Sequence, residues 1–279
     1  MSSDSKSLDI LGVKPICDAV GTIAKGSTDG IGAFLSRICL PAAEEFGYLL
    51  RDKVAGLRAH SEWRRSQAED ILAKTAQKVS ERGDAGNCKA TPRMVRYALE
   101  EGSWSSEDEL HEAWSGLLAS SCSNSPNDNN LGFMRLLSSL TAYQVRLLND
   151  FLDRSDLGIS KNGYIHSAPF FIQSSQILDI AQCASEDLHV LDFQIDGMRE
   201  LGLMHDGTGL QMDEDYASIW LTPYAISFLV RCRGWVDRPA DYFSDFVPQE
   251  MVEAMVTEFM MCNNRKTKID DPIFKSLIK

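Results

Sequence analysis

Between Pro41 and Arg82 the sequence shows a helical pattern that no strong breaker interrupts before Gly83. Proline suits the first turn of a helix, and Glu44 and Glu45 follow near the positive end of the helix dipole. At 1.5 Å per residue this helix would be about 60 Å long, which indicates a scaffold and interaction surface rather than a reaction centre. Its apolar residues recur at helix spacing, at Phe46, Leu49, Leu50, Val54 and Leu57.

Helical patterns continue through the next part of the chain. Thr91 and Pro92 predict the N-cap and first turn of a helix that ends near Gly102. Two capping boxes follow, S-x-x-E at 106–109 and T-x-x-Q at 141–144. Each predicts the start of a helix, and the polar stretch 121–130 between them is predicted to be a loop.

The region after Thr141 predicts the layout of a winged-helix domain. Predicted helices at 170–180 and 188–203 follow the T-x-x-Q helix, and a small hairpin comes next. Thr222 and Pro223 then begin a helix that runs to about Arg233, and one more helix is predicted at 248–261.

We therefore expect a mainly α protein. A long amphipathic N-terminal helix and a helical domain would be followed by a winged-helix-like domain with a small β-hairpin. The predicted divisions are a Gly-rich amphipathic segment at 1–40, the helical domain at 41–140, the winged-helix-like domain at 141–234, and a C-terminal helix with a basic tail at 235–279.

Composition narrows the class of protein. The formal net charge of −12 disfavours a general nucleic-acid binder, which needs clustered lysine and arginine. The seven cysteines include no CxxC pair, which is typical of reduced thiols in a cytoplasmic protein. We find no secretion signal and no apolar run close to the roughly 18 residues of a membrane span, so we expect a cytoplasmic location.

Catalytic motifs are absent from the sequence. It contains no GxSxG elbow, P-loop, HExxH or Rossmann fingerprint, and its five histidines do not share metal-ligand spacing. We predict no catalytic residue, no metal site and no cofactor. Glu44 and Glu45 would point about 100° apart on a helix, so they are interpreted as compensating the helix dipole rather than as an acid–base pair.

Charge patterns predict two interaction surfaces. The segment 186–200, the candidate recognition helix, carries five acidic residues and one arginine, so DNA should repel it and a protein-interaction role is favoured. The long helix has a net-basic face that could meet RNA, anionic lipid or the acidic domain of its own chain, and the last is favoured. Its basic residues are Arg51, Lys53, Arg58, Arg64, Arg65, Lys74 and Lys78.

The first 40 residues contain two short apolar stripes at helix spacing. They indicate either a membrane-active segment or two helices packed on the rest of the protein. The four basic and four acidic residues of this segment cancel, whereas membrane-surface helices usually carry a basic face. Packing is therefore favoured, and transient membrane contact stays open.

Three blocks, taken in order, resemble the Abi-alpha (abortive infection alpha) family of bacterial proteins. They are PAAEEFGYLLRDKV at 41–54, EDELHEAWSGLLA at 107–119 and LLSSLTAYQVRLLNDFL at 136–152. A weaker match joins 202–204 to 221–234, and the likeness covers about residues 30–234. The candidate interaction or family-motif residues are Pro41, Glu44, Glu45, Gly47, Arg51, Trp114 and Leu118.

The resemblance implies a phage-defence protein that halts or kills the infected cell, with a phage or host protein as its trigger. It supplies no active site, so we expect a non-enzymatic factor in which the acidic winged-helix module restrains a helical effector. The alternatives are a nuclease or translation-blocking toxin built on Glu44, Glu45 and Arg51, and a winged-helix transcriptional regulator. Homo-oligomerisation stays open.

Overall fold

The computed structural model describes residues 61–83, 88–181, 188–210 and 215–265. These residues form two compact units. The first comprises the described residues up to Ser139 together with Arg231–Val236, and the second comprises Leu140–Val230 and the described residues from Asp237 onward. The predicted segment 1–40 and the first part of the predicted long helix, 41–60, lie outside the described residues.

Four helices build the first unit, namely α1 (Ser61–Glu81), α2 (Pro92–Gly102), α3 (Asp108–Ser121) and α4 (Leu131–Ser138). The most extensive contact among them joins α1 to α3. Buried residues recur along α1 at intervals of three and four, which is the pattern of a helix with one face in a core. Those residues are Ala68, Ile71, Leu72, Thr75, Ala76 and Val79.

The helix ends of the first unit follow the sequence with one exception. α1 ends just before Gly83, which has φ of 82°, and Thr91 caps α2 by accepting from the amide of Met94. The predicted S-x-x-E box at 106–109 is wrong, because Glu107 is the N-cap of α3 and makes no side-chain cap bond. The Ser105 hydroxyl instead accepts from the Glu107 amide, a local turn that competes with a cap one residue later.

The second unit alternates short strands and helices. Its elements are α5 (Ala142–Arg154), β1 (Leu157–Ile159), β2 (Ile165–Ser167), β3 (Phe170–Gln173), α6 (Ser174–Ala181), α7 (Leu188–Glu200), β4 (Gly209–Leu210), β5 (Tyr216–Ile219), α8 (Pro223–Cys232), a 3₁₀ turn (Pro239–Tyr242) and α9 (Gln249–Arg265). The last two residues of α8 belong to the first unit. The predicted capping box of α5 is confirmed, with Thr141 and Gln144 each bonding the other's backbone.

The predicted helix at 170–180 is wrong in its first third. Residues Phe170–Gln173 form strand β3, the first three of them are buried, and the helix starts only at Ser174. β3 pairs antiparallel with β5, and β4 completes a sheet of order β3-β5-β4. Aromatic and β-branched residues favour a strand where a partner covers them, and β5 supplies that partner. The β1–β2 hairpin was not predicted from the sequence.

The predicted hairpin before α8, with strands at 203–205 and 218–220, is confirmed in part. Its second strand overlaps β5, but the strand that pairs there is β4 at Gly209–Leu210, and of the predicted first strand only Met204 forms a bridge, with Leu221. Behind this sheet, Phe171 stacks on Phe259 of α9 with ring centroids 5.1 Å apart. Trp220 meets Phe259 edge to face at 5.9 Å, so α9 is anchored to the sheet by aromatic contacts.

Candidate interaction surfaces

The residues chosen from the sequence divide into two groups. Five of them lie outside the described residues: Pro41, Glu44, Glu45, Gly47 and Arg51. Trp114 and Leu118 lie on α3 and are buried in the first unit, with 2% and 0% of their surface exposed. The Trp114 ring lies 6.4 Å from that of Tyr97, so it is placed to stabilise the α2–α3 packing rather than to meet a partner.

A charged seam joins α1 to α3 around Lys74. The Lys74 ammonium lies 3.2 Å from both Asp70 and Glu112 and also donates to Asp108, while Lys78 donates to Glu112 at 2.7 Å. Partial burial of Lys74 opposes its charge, yet the three carboxylates raise its pKa above the ordinary value. The hydrogen bond from Lys74 lowers the pKa of Asp108 in return. The seam is a cross-helix ion network.

His111 continues the seam beneath the surface, where only 3% of it is exposed. Its Nδ1 lies 2.7 Å from a carboxylate oxygen of Asp70, and its Nε2 lies 2.9 Å from the carbonyl oxygen of Ser105. Both neighbours are acceptors, so the ring donates to both only with a proton on each nitrogen. The ring thus ties the α2–α3 connection to α1.

Arg64, at the start of α1, packs against the end of α2. Its guanidinium lies 4.3 Å above the Trp104 ring and donates to the Ser103 hydroxyl at 2.9 and 3.1 Å. A further bond of 3.2 Å reaches the carbonyl of Glu100. Arg64, like Lys74 and Lys78 of the predicted basic face, is therefore engaged inside the first unit.

The outer face of α7 combines apolar and acidic side chains. Phe193 is 74% exposed and Val190 is 41% exposed, although the buried side of the same helix carries Leu191, Ile195 and Met198. Val190 and Phe193 are three residues apart, so they are neighbours on the helix surface. We call the outer residues the α7 face: Val190, Asp192, Phe193, Asp196 and Glu200.

The arginine of α7 neutralises one of the three acidic side chains of this face. Arg199 pairs with Asp196 at 2.7 Å and donates to the carbonyl of Thr208 at 2.8 Å. It therefore fixes the loop before β4 while neutralising one carboxylate. Asp192 and Glu200 keep the α7 face net acidic.

A shallow cleft lies between the β1–β2 turn and the start of α9. Its volume is about 350 Å³, and its lining is polar: Ser160, Lys161, Asn162, Gln249, Glu250 and Glu253. Gln249 donates to Glu253 at 2.8 Å, so part of the lining is satisfied internally. The mixed charge and open shape do not define a reaction site.

The part of the chain that the structure describes contains neither a cluster of metal ligands nor a helix suited to cross a membrane. Across 61–83, 88–181, 188–210 and 215–265, no three His, Cys, Asp or Glu side chains converge as ligands of a metal ion. None of the helices in these ranges combines the length and apolarity that crossing a bilayer demands.

The α7 face was only half predicted. Its acidic residues are predicted from the sequence as part of an interaction surface, but Val190 and Phe193 are not. The signal was available, because both residues fall off the buried stripe of Leu191, Ile195 and Met198 and therefore point elsewhere on a helix of 3.6 residues per turn.

More than half of the chain matches a known protein family. A family model described as Abortive infection alpha matches residues 67–230, which is more than half of the chain. The matched range contains most of α1 and all of the elements from α2 to β5, including the α7 face. No curated protein and no solved structure is significantly similar to the chain.

Proposed function

Since the chain belongs to the abortive infection alpha family, we propose that it is an anti-phage defence protein that acts through protein contacts rather than catalysis. The family match over residues 67–230 is the observation that carries the defence role. The α7 face supports the contact mechanism, because it presents an exposed aromatic ring beside acidic groups. Such a surface suits a protein partner.

The proposal includes a winged-helix-like module in the second unit. The element order α5, β3, α6, α7, β4–β5 and the sheet order β3-β5-β4 support it. In that arrangement α7 takes the place of the recognition helix. The acidity of α7 opposes a phosphate-lined groove, so the module contacts protein instead of DNA.

We assign the effector role to a helical region that includes the Gly-rich segment 1–40. The apolar stripes within residues 1–40 supply a helical effector that the acidic module restrains in the cytoplasm until a phage or host protein acts as the trigger. Deleting residues 1–38 then abolishes protection. Undiminished protection by a deletion variant that accumulates normally would remove the effector from the proposal.

The defence role is tested by phage infection of cells that express the protein. We expect fewer plaques than with an empty vector, while most infected cells at high phage-to-cell ratio fail to form colonies. Surviving colonies alongside reduced plaques would contradict abortive infection, because the infected cells would then have cleared the phage. Equal plaque numbers across a varied phage panel would contradict the defence role itself.

The contact mechanism is separated from the enzyme alternative by three single variants, Glu44→Gln, Glu45→Gln and Arg51→Ala. Full protection by each variant, at wild-type protein level, is the expected result. Loss of protection with an unchanged melting curve would favour chemistry. Following RNA integrity, protein synthesis and membrane potential after induction identifies the step at which the cell is stopped.

A further inference from the structure

An exposed phenylalanine in the middle of a well-packed helix is the starting observation. Phe193 exposes 74% of its surface while its own helix buries Leu191, Ile195 and Met198 completely. Val190, one turn earlier on the same side, is also exposed at 41%. Within the described part of the second unit, these two side chains form an exposed apolar ridge on α7.

Acidic side chains border this ridge along one flank. With about 100° between successive residues, Asp192 and Asp196 lie on one side of Phe193, and Val190 lies on the other. Glu200 extends the acidic border two turns beyond Phe193. The α7 face is thus amphipathic, because an apolar edge and an acidic edge run side by side along the helix.

We propose that the α7 face binds a basic amphipathic helix of a partner protein. An apolar stripe of that helix packs against Val190 and Phe193, and its lysine or arginine residues meet Asp192 and Glu200. This inference rests on the proposed function, in which the second unit is a protein-contact module. It adds the chemistry and the secondary structure of the partner.

Charge complementarity decides among the occupants. DNA, RNA and anionic lipid all present negative charge, which the acidic edge repels. A second copy of the same face would place like charges together across a two-fold interface. A basic amphipathic helix satisfies both edges. Its apolar residues at three- and four-residue spacing pack against the ridge and its cations face the acidic edge, as in zipper-type packing of two helices.

Sheet addition is a poor alternative at the β4 side of this unit. Within the described residues, strand β4 comprises Gly209 and Leu210, and these two residues offer an added strand very little backbone to pair with. The α7 face, by contrast, extends over three turns from Val190 to Glu200. Length and composition both favour a helical partner.

The experiment measures binding of designed peptides to the full-length protein by fluorescence anisotropy. The probe is a labelled 18-residue peptide, chosen to span about five helical turns, with leucine on one helical face and lysine on the other. A matched peptide carries glutamate in place of lysine, and a scrambled peptide has the same composition without helical periodicity. We expect binding of the leucine–lysine peptide alone, weakened by raising NaCl from about 50 to 300 mM.

Variants of the protein locate the binding surface. Phe193→Ser should weaken binding at least about tenfold, because an exposed aromatic anchor is lost from the centre of the contact. The double variant Asp192→Asn/Glu200→Gln should weaken it several-fold and flatten its salt dependence. The matched controls are Tyr164→Ser, another highly exposed aromatic, and Glu250→Gln/Glu253→Gln, which removes two charges from α9. Neither control should change binding by more than about twofold.

Several outcomes overturn the inference. Equal loss in the α9 control pair would show general attraction to an acidic protein, and equal binding of the scrambled peptide would remove the helical partner. A dimer that dissociates only in Phe193→Ser, seen by analytical ultracentrifugation, would make a second copy the occupant. If the wild-type protein protects against phage but does not bind the peptide, this inference is overturned and the defence role stands. If it binds the peptide but does not protect, the defence role is overturned and the binding surface stands.

Discussion

At the scale of single residues, Gly116 has the least room for a side chain among the glycines that the structure describes. A Cβ on Gly116 would lie 1.6 Å from the carbonyl oxygen of Cys232 and 2.4 Å from its carbon, both backbone atoms that cannot rotate away. We expect Gly116→Ala to lower the free energy of unfolding by about 3 kcal/mol or more, the upper range for overpacking. Urea unfolding followed by circular dichroism measures it.

Gly132 supplies the matched control for this substitution. It also lies in a helix, α4, but a Cβ there would meet nothing within 4 Å. Gly132→Ala should be neutral or stabilising by up to about 1 kcal/mol, because alanine has the higher helix propensity. Equal destabilisation by both substitutions would contradict the close approach of α3 to Cys232.

His205 gives the second unit a dependence on pH. Its ring lies 4.2 Å from that of Trp220, and burial lowers its pKa although Asp206 acts in the opposite direction. A lowered pKa in the folded state means that folding favours the neutral ring. The contribution of His205 to stability is therefore present above about pH 6.5 and is lost as pH falls through its pKa in the folded state. His205→Gln should therefore reduce the stability lost between about pH 7.5 and 5.5.

The measurement is the urea midpoint of the wild type minus that of the variant at each pH. Taking this difference cancels the contributions of all the groups that the two proteins share. A difference that does not change with pH would show that His205 is equally easy to protonate in the folded and unfolded chains.

At the scale of elements, the seam between α1 and α3 depends on Lys74. Lys74→Ala would leave Asp70, Asp108 and Glu112 without their shared cation. We expect a loss of about 1 kcal/mol, limited by solvent screening because these carboxylates are substantially exposed. The control is Arg93→Ala, which removes an exposed pair with Asp128 at 3.5 Å in the same unit and should change stability by less than about 0.5 kcal/mol.

The same seam contributes stability that is lost in acid. The pKa of Asp108 is lowered by Lys74, and that of Glu112 is lowered by Lys78 and Lys74 despite the opposing effect of burial. A carboxyl group whose pKa is lowered in the folded state stabilises the fold at pH values above its ordinary pKa. That contribution to stability is lost as pH falls below about 4. The stability gap between wild type and Lys74→Ala should therefore close in acid. A gap that persisted at pH 3 would contradict the ion network.

The two threonine caps could be predicted from local sequence signals and strand β3, which has a distant partner, could not, although the local S-x-x-E box was wrong and the local β1–β2 hairpin was missed. The caps at Thr91 and Thr141 are confirmed because each bonds its own next turn. Strand β3 was missed because its pairing partner, β5, is more than 40 residues away. The seam could not be predicted for the same reason. The sequence shows that Lys74 is charged, but only folding brings Asp108 next to it.

At the scale of the whole molecule, the net charge determines which classes of partner are attracted. The net charge is −12, and residues 142–234 alone hold six basic against thirteen acidic side chains. Among the described residues, Arg64, Lys74 and Lys78 of the predicted basic face make contacts within the first unit. A basic protein is consequently the partner that long-range electrostatics would attract.

Nucleic acid gives the sharpest test of this charge distribution. We expect full-length protein at submicromolar concentration, in about 50 mM NaCl, to leave the anisotropy of labelled duplex DNA and single-stranded RNA unchanged, because binding requires phosphates to be neutralised by clustered cations. A basic helix-turn-helix protein is the positive control. A shift that weakens steeply as salt is raised would show that basic groups cluster despite the net charge, and would return the transcriptional regulator to consideration. Asp192→Asn/Glu200→Gln then tests whether α7 carries that binding, since removing its acids would strengthen a DNA contact made there and would weaken a basic-peptide contact.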